Sequence, residues 1–126
     1  MATEVKVQGL DEFLQAVKEH EGKKNVFALF SGATDPSTGV SWCPDCVTAV
    51  PVVEKCMTKA PEGSVYIYCS VGDRSFWKDQ NNGFRKDPRT ALKSVPTLLR
   101  WGTPQRLEEG QCANSSLVEM IIEGDQ

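Results

Sequence analysis

Two cysteines three positions apart, in Trp42-Cys43-Pro44-Asp45-Cys46, stand at the head of a stretch with helical periodicity. That placement sets Cys43 at the exposed mouth of a helix and Cys46 one turn inside it. The first-turn amides of a helix lack internal partners and favour negative charge. Thiolate is the reactive form of cysteine, so the helix mouth favours reactivity at Cys43. Cys46 is near enough to close a small disulfide ring. The stretch therefore reads as a reversible dithiol, with Cys43 as nucleophile and Cys46 as resolving thiol.

The rest of the chain limits what such a pair can be. With 126 residues, one domain spanning 1–126 is expected, and its core needs no cross-links. Met1-Ala2-Thr3-Glu4-Val5-Lys6 has no apolar signal region, and no apolar run approaches the roughly 20 residues of a membrane helix. The chain is accordingly read as cytoplasmic, with no membrane association. Five cysteines, an odd number, in a reducing compartment argue against structural disulfides. A zinc site would need two more soft ligands at comparable spacing. Cys56, Cys69 and Cys112 form no second close pair and His20 is the single histidine, so no metal is expected. A net charge of -3 gives no reason to expect nucleic acid as a partner.

In chain order, Val5 and Val7 suggest a short strand, and Leu10, Phe13, Leu14 and Val17 a helix ending near His20. Val26 to Phe30 is an apolar run long enough for a buried strand. Ser31 to Ser41 reads as a loop. The dithiol helix runs to about Lys59 with Pro51 inside it, and Val65 to Val71 is the clearest strand. Asp73 to Pro88 is polar with aromatics at Phe76, Trp77 and Phe84, which predicts loop and short helix. Val95 to Trp101 reads as a strand entered through Pro96, Gln105 to Leu107 as an edge strand, and Asn114 or Ser115 as the cap of a last helix. This order predicts an α/β fold, a central mixed β-sheet flanked by helices on both faces.

With the dithiol between a strand and a helix, the chain resembles the thioredoxin family. Trp42 precedes the first cysteine, Pro51 follows Cys46 by five residues, and Val95-Pro96-Thr97 resembles the family's cis-proline motif. The long loop Ser31–Ser41 and the stretch Phe76-Trp77-Lys78-Asp79 to Lys86 narrow the resemblance to the branch of small thioredoxin-related proteins. The resemblance implies a thioredoxin fold and a disulfide reductase that holds no bound cofactor. Its electrons would come from NADPH through thioredoxin reductase. Its partners would be that reductase and disulfide-containing proteins or small disulfides such as cystine, over a narrower range than thioredoxin accepts. A monomer is expected. The alternative is a binding module whose dithiol only senses redox state.

Two departures from the family stand out. Aligned on Phe30, thioredoxin's buried acid would fall at Leu29, so Cys46 must give its proton to water or another group, with Asp45 a candidate. The loop before Trp42 is also longer than in thioredoxin. At the site itself, Pro44 and Asp45 tune the pair. The Asp45 charge opposes the helix terminus by a similar amount, a balance that favours a reductant over an oxidant. Trp42, Val95 and Pro96 are expected to bind substrate: Trp42 as a partly exposed platform, and a cis Val95-Pro96 bond presenting backbone to an extended segment. Cys69 reads as a small buried hydrophobe. Cys56 and Cys112 read as having no catalytic role, with a regulatory thiol among them, by their expected exposure, as the minor reading.

Overall fold

The computed structural model describes residues 2–123. Five strands form one sheet: β1 (Thr3–Gln8), β2 (Val26–Ser31), β3 (Val65–Ser70), β4 (Thr97–Arg100) and β5 (Arg106–Glu108). Their order across the sheet is β1-β3-β2-β4-β5. β3 runs parallel to both β1 and β2, while β4 is antiparallel to β2 and to β5, so the sheet is mixed as expected. The helices are α1 (Gly9–Glu19), α2 (Pro44–Met57), α3 (Arg74–Lys78), α4 (Gly83–Lys86) and α5 (Ser115–Glu123), with a 3-10 turn at Glu109–Ala113.

The strand period of two divides β2 between two cores. Ala28 and Phe30 join Phe13 and Ala16 of α1, together with Trp77 and Phe84. Phe27 and Leu29 join Ala49, Val53 and Met57 of α2, together with Ile121 and Ile122 of α5. All six residues of β2 are buried, which accounts for the unbroken apolar run. Phe30 anchors the first core, its ring centroid 4.9 Å from Phe13 and 5.8 Å from Phe84. Each such buried side chain contributes about 1.5–3 kcal/mol.

The polar stretch after β3 folds into two short helices, each capped by a side chain. Asp73 accepts from the Phe76 amide and Asn82 from the Arg85 amide. Asn82 is itself buried and donates to the Trp77 and Asp79 carbonyls at 3.0 Å. The Arg85 guanidinium lies 4.0 Å over the Trp77 ring. The three aromatics thus divide: Trp77 and Phe84 pack inward, while Phe76 is 48% exposed.

Element ends shift slightly from the sequence expectation. β4 begins at Thr97, because Pro96 has no N–H to give to a ladder. β5 runs Arg106–Glu108 rather than Gln105–Leu107, and α2 ends at Met57. The last helix starts at Ser115, and Asn114 caps it by accepting from the Leu117 amide at 3.2 Å.

Candidate dithiol site

The site forms where β2 ends and α2 begins. The long connection between them is ordered by its own hydrogen bonds. The Asp35 amide donates to Val40 O at 2.7 Å, and the Asp35 carboxylate accepts from the Ser37 amide and hydroxyl. Those two donors hold the Asp35 carboxyl below the ordinary carboxylate range. Thr34 and Ser41 pair across the loop, and the Trp42 amide donates to Ala33 O. The loop therefore returns the chain beside the end of β2.

Trp42 is fixed there from two sides. Its indole Nε1 donates to Gly72 O at 2.9 Å. Gly72 has φ +99, a conformation glycine reaches without strain, and the same carbonyl also accepts from the Ala33 amide. The indole also lies against Gly32, where an added Cβ would come within 2.6 Å of the ring. Trp42 is thus half-buried against the first core, a platform with one packed side.

Cys43 is the N-cap of α2, with extended backbone at φ -99 and ψ 110, and Pro44 fills the first helical position. The Cys43 amide donates to the Ser41 hydroxyl at 3.1 Å, and the Cys46 amide donates to Cys43 Sγ at 3.4 Å. One first-turn amide, that of Cys46, therefore reaches this sulfur while also donating to the Cys43 carbonyl. Opposite stands the Val95-Pro96 peptide, which is cis as the motif suggested. The Cys43 thiol points at Val95 O, 3.6 Å away. This contact corrects the expectation of an open helix mouth: with the Val95-Pro96 segment against it, Cys43 is only 6% exposed.

Cys46 is fully buried. Its thiol is pushed up to about 12, first by burial and then by the neighbouring Cys43 thiol. Two donors work the other way: the Ser31 hydroxyl, and the Gly32 amide at 3.5 Å from Cys46 Sγ. Asp45, the acid suggested as its proton acceptor, faces solvent and is not among the groups acting on Cys46. Leu29 lies in the α2-facing core, where thioredoxin's acid would stand. Ser31 and Gly32 were not singled out from the sequence. The alternation Phe27-Leu29-Ser31 carries the signal, because it puts Ser31 on the strand face that α2 covers.

The other three cysteines lie apart from this pair. Cys69 and Cys112 are each pushed up to about 12, burial being the first cause. Cys69 is the small buried residue expected. Cys56 and Cys112 are 5% and 0% exposed, which corrects the expectation of accessible thiols: both pack in the core between α2, α5 and the sheet. Among the described residues no three His, Cys, Asp or Glu side chains gather as a metal site, and no helix is long and apolar enough to cross a membrane.

Comparison with known proteins agrees with this architecture. The profile of the thioredoxin domain-containing protein 17-like thioredoxin domain matches residues 6–124. Thioredoxin domain-containing protein 17 of Epinephelus coioides is 56% identical over 97% of this chain and 96% of its own. The protein of that name in Mus musculus is 54% identical over 99% of this chain and 100% of its own. Among solved structures, chloroplastic thioredoxin z superposes with a TM-score of 0.52 at 11% identity, covering 98% of this chain and 99% of that one, a likeness of fold.

Proposed function

The chain belongs to the thioredoxin domain-containing protein 17-like family, and on that premise we propose that it is a thiol–disulfide oxidoreductase acting as a disulfide reductase through Cys43 and Cys46. One observation carries the reading. The two thiols are neighbours at the start of α2, with Cys43 accepting from a helix amide and facing the Val95 carbonyl of the cis-proline segment.

The geometry suits a two-step exchange. Cys43 thiolate attacks one sulfur of a substrate disulfide, forms a mixed disulfide and expels the other sulfur as thiolate. Cys46 then attacks Cys43 Sγ, closes the Cys43–Cys46 disulfide and releases the second substrate sulfur. The two electrons given up return from NADPH through thioredoxin reductase, and no cofactor need be bound. The neighbouring Cys43 thiol is one of the causes that keep Cys46 protonated. Once Cys43 is held in the mixed disulfide that influence is gone, so Cys46 becomes easier to ionise when its attack is due. Val95 and Pro96 offer backbone to an extended substrate segment, and Trp42 gives it a flat apolar side.

The substrate range we infer is narrow, favouring small or flexible disulfides such as cystine. Supporting this is a cleft of about 430 Å³ beside Trp42, walled by Ala33–Pro36 of the long loop and by Asp73, Arg74 and Ser75 at the start of α3. Such walls hinder a bulky folded partner. Asp45, exposed two residues from Cys43, adds a charge that disfavours acidic partners and that salt screens over about 10 Å.

NADPH oxidation with thioredoxin reductase tests the reading, comparing cystine with insulin and using thioredoxin as control. Continuous turnover on cystine and weak turnover on insulin are expected, with insulin activity rising when Thr34 to Thr38 are deleted. One stoichiometric oxidation without cycling would instead mark a redox-sensing module. Equal activity with thioredoxin on insulin at every salt concentration would remove the gated site.

A further inference from the structure

Cys46 must lose a proton in a buried site where Leu29 stands in place of thioredoxin's acid. From the contacts around its sulfur we propose that the Ser31 hydroxyl, with the Gly32 amide, stabilises the Cys46 thiolate and so carries the resolving step. This rests on the reductase reading and assigns a residue to its second half.

Three observations point to Ser31. Its position is set by the sheet, at the last residue of β2. Ser31 pairs with Ser70 in the β2–β3 ladder, and its carbonyl accepts from the Val71 amide at 2.9 Å. Its side chain is fully buried, so the hydroxyl has only protein groups to satisfy it. Its one oxygen-bonded partner is weak and replaceable. Ser31 Oγ reaches Gly32 O at 3.3 Å, a long distance for O–H···O. That same carbonyl already accepts from the Ser41 hydroxyl at 2.9 Å. Turning the Ser31 hydroxyl fully towards Cys46 therefore leaves no acceptor orphaned. The Gly32 amide, 3.5 Å from Cys46 Sγ, supplies a second donor, and the Trp42 indole packed on Gly32 covers it.

Ser31 is a donor in this step and not the base. The Cys46 proton passes to the departing substrate sulfur, whose thiol titrates near the ordinary cysteine value of about 8.5. The Cys43–substrate S–S bond breaks, the Cys43–Cys46 S–S bond forms, and the electron pair leaves on the substrate sulfur with that proton. Cys43 is the titratable neighbour acting on Cys46; among the described residues no carboxylate does so. Donors to the thiolate are thus what this site offers in place of an acid.

The test uses full-length protein and glutathione disulfide in stopped flow, following the two steps separately across pH. Ser31→Ala should slow closure of the Cys43–Cys46 disulfide by roughly tenfold to a hundredfold, as expected for one lost hydrogen bond to an anion. It should also move the pH profile of that step upward, and leave the first attack by Cys43 unchanged. Ser31→Thr, which keeps the hydroxyl, should restore both rate and profile. An unchanged resolving step in Ser31→Ala, or equal slowing of both steps, overturns the inference alone. A wild-type chain that never closes the disulfide overturns the reductase reading and this inference with it.

Discussion

Burial does not separate the two groups of cysteines in this chain. Cys43 and Cys46 are 6% and 0% exposed, and Cys56, Cys69 and Cys112 are 5%, 0% and 0%. Their neighbours do separate them. Cys43 caps a helix and takes an amide proton, and Cys46 meets a second thiol, a hydroxyl and an amide. Cys69 lies near the Gly9 and Ser70 carbonyls, and Cys112 near those of Pro96 and Leu107. Cys56 has the Ser115 carbonyl at 3.9 Å. Cys69 and Cys112 also each have one backbone hydrogen bond that favours the thiolate, from Gly9 and from Leu98, so a single donor does not set a cysteine apart. Inaccessibility alone therefore does not mark an inert cysteine. The distinction lies in whether a second sulfur stands beside it.

The strongest break of this comparison is by substitution. Cys43→Ser is expected to abolish disulfide reduction, and Cys46→Ser to stall as a mixed disulfide on Cys43. Cys56→Ser, Cys69→Ser and Cys112→Ser should keep turnover in whatever fraction folds. Mass spectrometry of the trapped adduct decides the order: an adduct on Cys46 would reverse the two roles.

Alkaline pH exposes the group of lone thiols. Cys69 and Cys112, like Cys46, are raised from an ordinary 9.0 to about 12 in the folded chain. The unfolded chain then holds fewer protons than the folded one between those values. Stability is thus complete below about pH 9 and drains as pH rises towards 12, by at most about 1.4 kcal/mol per pH unit for each thiol. Tyr66, also raised by burial, adds to the same trend. Urea unfolding at pH 8, 9 and 10 should show the loss, and Cys112→Ala should lessen it without removing it. A flat profile in the wild type would show that these thiols are not desolvated.

Gly32→Ala sharpens the site side of the comparison. The new Cβ would press on the Trp42 indole, at a cost of about 1–3 kcal/mol. Shifted tryptophan fluorescence together with slower resolution is expected, and an unperturbed spectrum would mean the ring does not lie on Gly32. The smallest effect belongs to Trp42→Phe. It removes the indole hydrogen bond to Gly72 O, worth about 0.5–1.5 kcal/mol in thermal stability, and keeps an aromatic ring at that position.

Much of this was legible in the residues. The unbroken run Val26–Phe30, the spacing of Cys43 and Cys46, and Val95-Pro96 fixed the central strand, the dithiol and its opposing segment, because each depends on local pattern. What escaped depends on distant segments meeting. Cys43 looked open because the approach of Val95, 52 positions later, leaves no trace near the cysteine. Cys56 and Cys112 looked accessible because each is covered by elements far along the chain. Ser31 looked like the first residue of a loop, although the alternation through Phe27 and Leu29 aimed it beneath α2.

The most direct measurement is a peptide map of the protein after oxidation by cystine, with free thiols alkylated first. The account predicts one disulfide, Cys43–Cys46, reversed by thioredoxin reductase and NADPH, with Cys56, Cys69 and Cys112 recovered as free thiols. A disulfide that includes any of those three, or a Cys43–Cys46 pair that stays reduced, would contradict it.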